Sequence, residues 1–237
     1  MATKKQKRER LAKAEQARKE QQQAEKRART VRAVLIGAVA VVVIIGVVFA
    51  VRWFTEDKPV VTPQHVTDQG GVVYPSANQS AAGAVEVVVY EDPLCPHCRD
   101  FEADHGPFLT EAADRGDITL EYRPIAFTGD DAVTPVNAMA CVLDAAGRDP
   151  FVEFHDQLFA GEYDDSDLTD LAEESGAGGS EVADCIDEGT HEGWVDKVTS
   201  DASDAGVEAT PTVWVDGDPV DLDDLDELES IVEEAGA

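Results

Sequence analysis

Cys95-Pro96-His97-Cys98 sets two thiols two residues apart, close enough to close into a strained, easily reduced disulfide. A Pro-His spacer is the kind that leaves such a disulfide oxidising. The chemistry this pair can do is thiol–disulfide exchange: a thiolate attacks a disulfide sulfur, and the resulting mixed disulfide is passed on or resolved. Cys141 and Cys185 are the remaining cysteines of the chain.

The elements around the motif decide how its sulfurs behave. A β-branched run, Val85-Glu86-Val87-Val88-Val89-Tyr90, precedes it, and a helix is predicted to start at Cys95 or Pro96 and to end near Gly116. Cys95, at the positive end of that helix, is expected to be the exposed attacking sulfur; Cys98, one turn inside, is expected to be buried and to resolve. A helix N-terminus contributes only about 0.3–1 kcal/mol, up to ~2 in favourable sites. One pKa unit is worth about 1.4 kcal/mol, so a large shift needs a further donor. His97 is the candidate inside the motif, with a solvent-facing spacer as the alternative. Thr210-Pro211-Thr212 is the second informative site. Proline before a strand fits an edge or a strand start, and the base rate of cis X–Pro bonds favours trans.

Further along, Ile118–Tyr122 alternates as a second strand. Residues 131–205 turn helical, with predicted helices over Ala132–Ala146, around Phe151–Phe159, and over Leu168–Glu174, Ser180–Asp187 and His191–Ala205, Ser180 serving as an N-cap. Strand character returns at Thr212–Val215, with a turn at Asp216-Gly217-Asp218 and a return strand near Val220. A last amphipathic helix uses Leu222, Leu225, Leu228, Ile231 and Val232. Strand, helix, strand, helical block, hairpin, helix, with the motif at the first strand–helix junction, reads as an α/β thioredoxin fold over 84–237 carrying a helical insertion at about 131–205.

Charge gives the topology. Residues 1–32 carry 12 Lys/Arg against 4 Glu, and residues 52–237 carry 7 against 45 Asp/Glu. Between them Ala33–Val51 is uncharged; with Trp53 and Phe54 it meets the roughly 20 residues that a spanning helix needs. The expected organisation is a basic cytoplasmic tail (1–32), one transmembrane anchor (33–54), an extracytoplasmic Pro/Gly-containing linker (55–83) with a short strand at Val72–Tyr74, and the acidic domain outside the cell membrane. A cleaved secretory signal is the alternative, but its apolar region runs only about 7–15 residues. Outside the cytoplasm disulfides persist. Strong acidity argues against nucleic acid as a partner, because phosphate binding needs basic side chains. A four-cysteine zinc site lacks the spacing, since Cys141 and Cys185 are far apart.

Three blocks carry a resemblance: Tyr90-Glu91-Asp92-Pro93-Leu94-Cys95-Pro96-His97-Cys98, Phe151-Val152-Glu153-Phe154-His155-Asp156-Gln157-Leu158-Phe159 and Gly206-Val207-Glu208-Ala209-Thr210-Pro211-Thr212. In order and spacing they resemble the DsbA-like thiol–disulfide oxidoreductases. The resemblance implies that Pro211 is cis, with Thr210 and Pro211 facing substrate. It also implies a disulfide donor to exported cysteine-containing proteins, reoxidised by a membrane quinone-linked partner, with no cofactor of its own. Thr210 stands where the best-known oxidases have valine, and threonine there occurs in isomerase-type relatives. An isomerase or reductase of the same fold is therefore the competing enzyme, and a copper clip of Cys95, His97 and Cys98 the competing binding module. Cys141 and Cys185 are read as a structural disulfide, with a relay pair or unpaired thiols as alternatives. His155 is read as structural, His105 and His191 as lacking partners at metal spacing, and Trp194 and Trp214 as core or groove lining. Glu91 and Asp92 are either a proton shuttle for Cys98, if buried, or a solvated acidic loop.

Overall fold

The computed structural model describes residues 42–47, 58–75 and 83–236. Residues 42–47 are a short exposed helical segment; the rest of the expected anchor, 33–54, and the whole tail, 1–32, lie outside the described residues. Among the described residues no helix is long and apolar enough to cross a membrane. The unit that carries the motif begins at Lys58.

Its sheet is built from five strands: β1 (Val72–Val73), β2 (Val85–Glu91), β3 (Ile118–Pro124), β4 (Thr212–Val215) and β5 (Asp218–Pro219), in the order β1-β3-β2-β4-β5. The central pair β2–β3 is parallel, from Val85 opposite Ile118 to Glu91 opposite Pro124. Outside it β4 runs antiparallel to β2, with Tyr90 opposite Thr212. That pairing brings the start of β4 to the end of β2, where the motif begins. A parallel pair needs a crossover, and α1 (Pro96–Arg115) supplies it. Pro96 opens the helix, where its missing N–H is harmless. Gly116 ends it at φ 80°, a left-handed conformation that favours glycine. The β4–β5 hairpin turns on Asp216 and Gly217, at φ 50° and 86°, the mirror-image turn that matches strand twist. As a result β5 starts earlier than the return strand expected near Val220.

Successive strand residues face opposite sides, so a run such as Val87-Val88-Val89-Tyr90 must be covered twice. Val87, Val89, Leu120 and Tyr122 pack with Phe101 and Leu109 of α1 and with Phe154 and Leu158 of α3 (Arg148–Ala160). On the other face Val88, Tyr90 and Ile125 pack with Trp194, Val195 and Val198 of α6 (Glu192–Asp204). The insertion also supplies α2 (Val133–Ala146), α4 (Leu168–Glu174) and α5 (Ser180–Glu188). Helix α2 contributes to both cores, which is why Pro135 to Leu143 are buried without a break.

Three expectations change. Ser180 is not the cap of α5: the N-cap is Gly179, at φ 130°, with no side-chain cap bond. The last helix is divided, because the Asp-rich stretch Leu222–Glu227 winds as a 3-10 segment and only Leu228–Ala235 (α7) is α-helical. Aspartate competes with the helix backbone, and Leu222 is left 51 % exposed while Leu228 and Val232 are buried. Residues 58–75, read as tether, lie against the domain. β1 extends the sheet beside β3, His191 donates through Nδ1 to the Val61 carbonyl at 2.7 Å, and Gln64 N–H reaches Asp144 Oδ1 at 2.8 Å.

Candidate active site

The site begins where β2 stops. Asp92 is fully buried, and its carboxylate shapes the turn: Oδ1 accepts from Leu94 N at 2.8 Å, and Oδ2 accepts from Thr128 N and Oγ1 at 2.7 and 2.9 Å. The Asp92 carbonyl takes the Cys95 N–H at 2.9 Å, and the Cys95 carbonyl takes the Cys98 N–H at 3.1 Å. Cys95 is thereby the N-cap of α1, and Cys98 lies one turn along. Both are free thiols in this structure.

Each sulfur has its own partner. Cys95 Sγ donates to the Thr210 carbonyl at 3.4 Å, across 115 residues of sequence. Cys98 Sγ accepts the Asp92 backbone N–H at 3.5 Å. The Thr210–Pro211 peptide is cis, and both residues are buried beside the motif. Here one expectation is corrected: Cys95 is only 6 % exposed, not freely accessible, because Thr210 is laid against it. Cys98, at 0 %, is buried as its position one turn inside requires. Burial pushes the Cys98 thiol far above the ordinary thiol range; the Asp92 N–H opposes that shift, and the Glu91 charge adds to it.

His97 and Pro96 are exposed. Among the described residues no hydrogen bond joins His97 to either sulfur; its ring instead borders a cleft with Phe101, His105, Pro211, Leu222 and Leu225. Cys95, His97 and Cys98 do not converge as three metal ligands among the described residues. Cys141 of α2 and Cys185 of α5 are bonded to each other, S–S 2.01 Å, Cα atoms 5.9 Å apart. They belong to the helical block rather than to the motif. Trp194 is core, and Trp214 meets Tyr90 edge-on at 5.1 Å between ring centroids.

Glu91 and Asp92 are buried, so the solvated-loop reading fails for both. Asp92 is committed to the turn, while Glu91 Oε1 pairs with His155 Nε2 at 2.8 Å. Burial works against a charge on His155, but Glu91 and Asp156 outweigh it and raise the imidazole well above the ordinary histidine range. Sequence reasoning missed Glu102, which joins this group from α1, and Thr128, which holds Asp92. A polar residue four positions before a helical glycine was the one local trace of Glu102: a Cβ on Gly106 would sit 2.7 Å from its Oε2. Nothing local marks Thr128.

A family model described as thioredoxin matches residues 79–234. No curated protein matches the chain. Among solved structures, reduced DsbA of Mycobacterium tuberculosis is similar at 28 % identity and a TM-score of 0.59, over 70 % of this chain and 91 % of that one. The reduced disulfide bond oxidoreductase DsbG of the same organism is similar at 28 % identity and a TM-score of 0.60, over 72 % and 89 %. MdbA of Actinomyces oris, a thiol–disulfide oxidoreductase, is similar in fold, with a TM-score of 0.63 at 24 % identity over 73 % and 92 %.

Proposed function

We propose that this chain, which belongs to the thioredoxin family, forms disulfides in exported proteins through Cys95 and Cys98. Its neighbours at 28 % identity are thiol–disulfide oxidoreductases, and the chain is an oxidoreductase of that class. The observation that carries the proposal is the approach of Cys95 Sγ to the Thr210 carbonyl at 3.4 Å. An N-cap sulfur at the positive end of a helix, next to the backbone that precedes a strand, is a place where an extended cysteine-bearing segment can pair and react.

Atoms and electrons balance across the exchange. A substrate thiolate attacks Cys95 Sγ of the Cys95–Cys98 disulfide. The new S–S bond joins substrate to Cys95, and Cys98 leaves as a thiolate that takes a proton. A second substrate thiolate then attacks the substrate sulfur of the mixed disulfide, and Cys95 leaves as a thiolate. Two electrons pass to the protein, which ends as the dithiol, and the substrate ends as the disulfide. The N-terminal end of α1 favours the Cys95 thiolate leaving in the second step, while the Asp92 N–H steadies Cys98 as it departs in the first.

Direction and place belong to the same proposal. The basic tail, the uncharged stretch Ala33–Val51 and the acidic remainder support a single-pass anchor with the catalytic domain outside the cell membrane. A thiol oxidant there needs reoxidation, and a membrane quinone-linked partner is the class that an anchored enzyme would meet. The Cys98→Ser variant is the test. Its Cys95 thiolate can attack a disulfide of an exported protein, one substrate sulfur leaving as a thiolate. The return attack of Cys98 that frees Cys95 is gone, so mixed disulfides between Cys95 and exported proteins should accumulate in cells. If no partner is trapped, exchange through Cys95 is wrong.

A further inference from the structure

Behind the redox helix lies a group of side chains that disulfide exchange does not use. Glu91 ends β2, Glu102 comes from α1 and His155 from α3; each offers one ligand atom, and these atoms lie within 4.8 Å of one another. Glu91 and His155 are 0 % exposed. Hydrogen bonds account for only part of the group. His155 Nε2 meets Glu91 Oε1 at 2.8 Å, and His155 Nδ1 meets Asp156 Oδ1 at 3.0 Å. Two oxygens are left over: Glu91 Oε2 and Glu102 Oε1 are buried with no donor facing them. Only a proton on Glu102, which burial and the Glu91 charge favour, would join the two carboxyls in the absence of a cation. An unmet buried polar atom costs on the order of 1–3 kcal/mol, more when charged, so two in one place need an explanation.

The surroundings supply access. A cavity of about 400 Å³ is bounded by Glu102, Gly106 and Pro107 of α1 and by Asp156 and Phe159 of α3. Gly106 keeps room for the Glu102 carboxylate, since a Cβ there would lie 2.7 Å from Oε2. We infer that Glu91, Glu102 and His155 form a site for a first-row divalent cation of the zinc type, entered through this cavity.

The donor set chooses the cation. One imidazole with carboxylates suits zinc, cobalt or manganese, whereas calcium and magnesium take shells of oxygen. Asp156, on the far nitrogen of the ring, fixes which nitrogen faces the cation, as a carboxylate does behind a metal-bound histidine. Zinc ligands at about 2.0–2.2 Å from the metal stand roughly 3.3 Å from one another, so a group already within 4.8 Å closes by side-chain adjustment. Glu102 is the ligand that reaches the cavity, while Glu91 and His155 lie behind it. A cation here would tie β2, the redox helix and the insertion together at one point.

The test uses the full chain with Cys95 and Cys98 joined as a disulfide, so that no free thiol can bind metal. Calorimetric titration with Zn²⁺ should give one site per chain. Co²⁺ in its place should give the visible absorption of a tetrahedral nitrogen–oxygen site. Glu91→Gln and Glu102→Gln should each weaken binding at least about tenfold, and Asp156→Asn about 10–100-fold. Glu111→Gln, on the exposed face of α1, should leave it unchanged. Asp156 is exposed, its side chain 61 % accessible, so its variant keeps the fold even if Glu91→Gln does not. Binding no tighter than millimolar, or equally tight in wild type, Glu102→Gln and folded Asp156→Asn, would overturn the inference; the first result means that protons alone hold the group, the second that surface carboxylates bind the cation.

Discussion

The two cysteine pairs of this chain are chemically identical and structurally opposite. Cys95 and Cys98 share one helical turn at a strand–helix junction, where the Asp92 N–H meets one sulfur and the Thr210 carbonyl the other. Cys141 and Cys185 are 44 residues apart and join two packed helices of the insertion. A bond within one turn constrains almost no unfolded chain, so its making and breaking costs the fold little. A bond across 44 residues removes loop-closure entropy from the unfolded ensemble, and its loss is felt by the whole domain. The contrast teaches that position relative to a helix end, rather than the presence of cysteine, separates a working pair from a staple.

The comparison can be broken most sharply at Cys95. Cys95→Ser should reduce exchange with a dithiol peptide to background while leaving the unfolding midpoint close to wild type. Replacing Cys141 and Cys185 together by alanine should do the reverse, with exchange retained and stability lowered by about 2–4 kcal/mol in denaturant titration. If the double alanine variant loses exchange as completely as Cys95→Ser, the insertion disulfide is part of the electron path and the division fails.

A third prediction concerns pH. Cys98 is raised in the folded dithiol, so folded protein holds that proton more tightly than unfolded chain does. Its contribution to stability is full below the ordinary thiol range and is lost as pH rises above about 8.5. The reduced protein should therefore lose stability in that alkaline window more steeply than Cys98→Ala. Equal slopes would mean that the sulfur is not held as described. The smallest effect is expected at Thr210, whose hydroxyl is buried and meets no partner at full hydrogen-bond geometry, its approach to Cys98 being the weakest of the influences on that thiol. Thr210→Val should be neutral or stabilising by about 1 kcal/mol. A clear loss would show that the hydroxyl serves the sulfurs in the folded state.

Range along the chain decides what was legible in the sequence. The β2 run, Pro96 at the helix start and Gly116 at its end are local signals, and each element lies within a residue or two of its expected bounds. The covering of Cys95 by Thr210 depends on β4 pairing with β2, and no window of sequence contains it. The same holds for His155. On its own helix it sits among Phe151, Leu158 and Phe159 and reads as packing; only the fold brings Glu91 and Glu102 to it. Residues 58–75 misled for a related reason. Their prolines and glycines signal a tether, yet Gly71 is what allows the chain to pass against Glu121, where a Cβ would lie 1.9 Å from Oε1.

The central claim is that Cys95 and Cys98 give their disulfide away. Equilibrating the protein with glutathione buffers of known ratio and reading the dithiol fraction gives the reduction potential of the pair. A donor should lie at about −120 to −200 mV, with the Cys141–Cys185 bond staying oxidised throughout. A potential near −270 mV, the value of a reducing thioredoxin, would contradict the claim and make the protein a reductase.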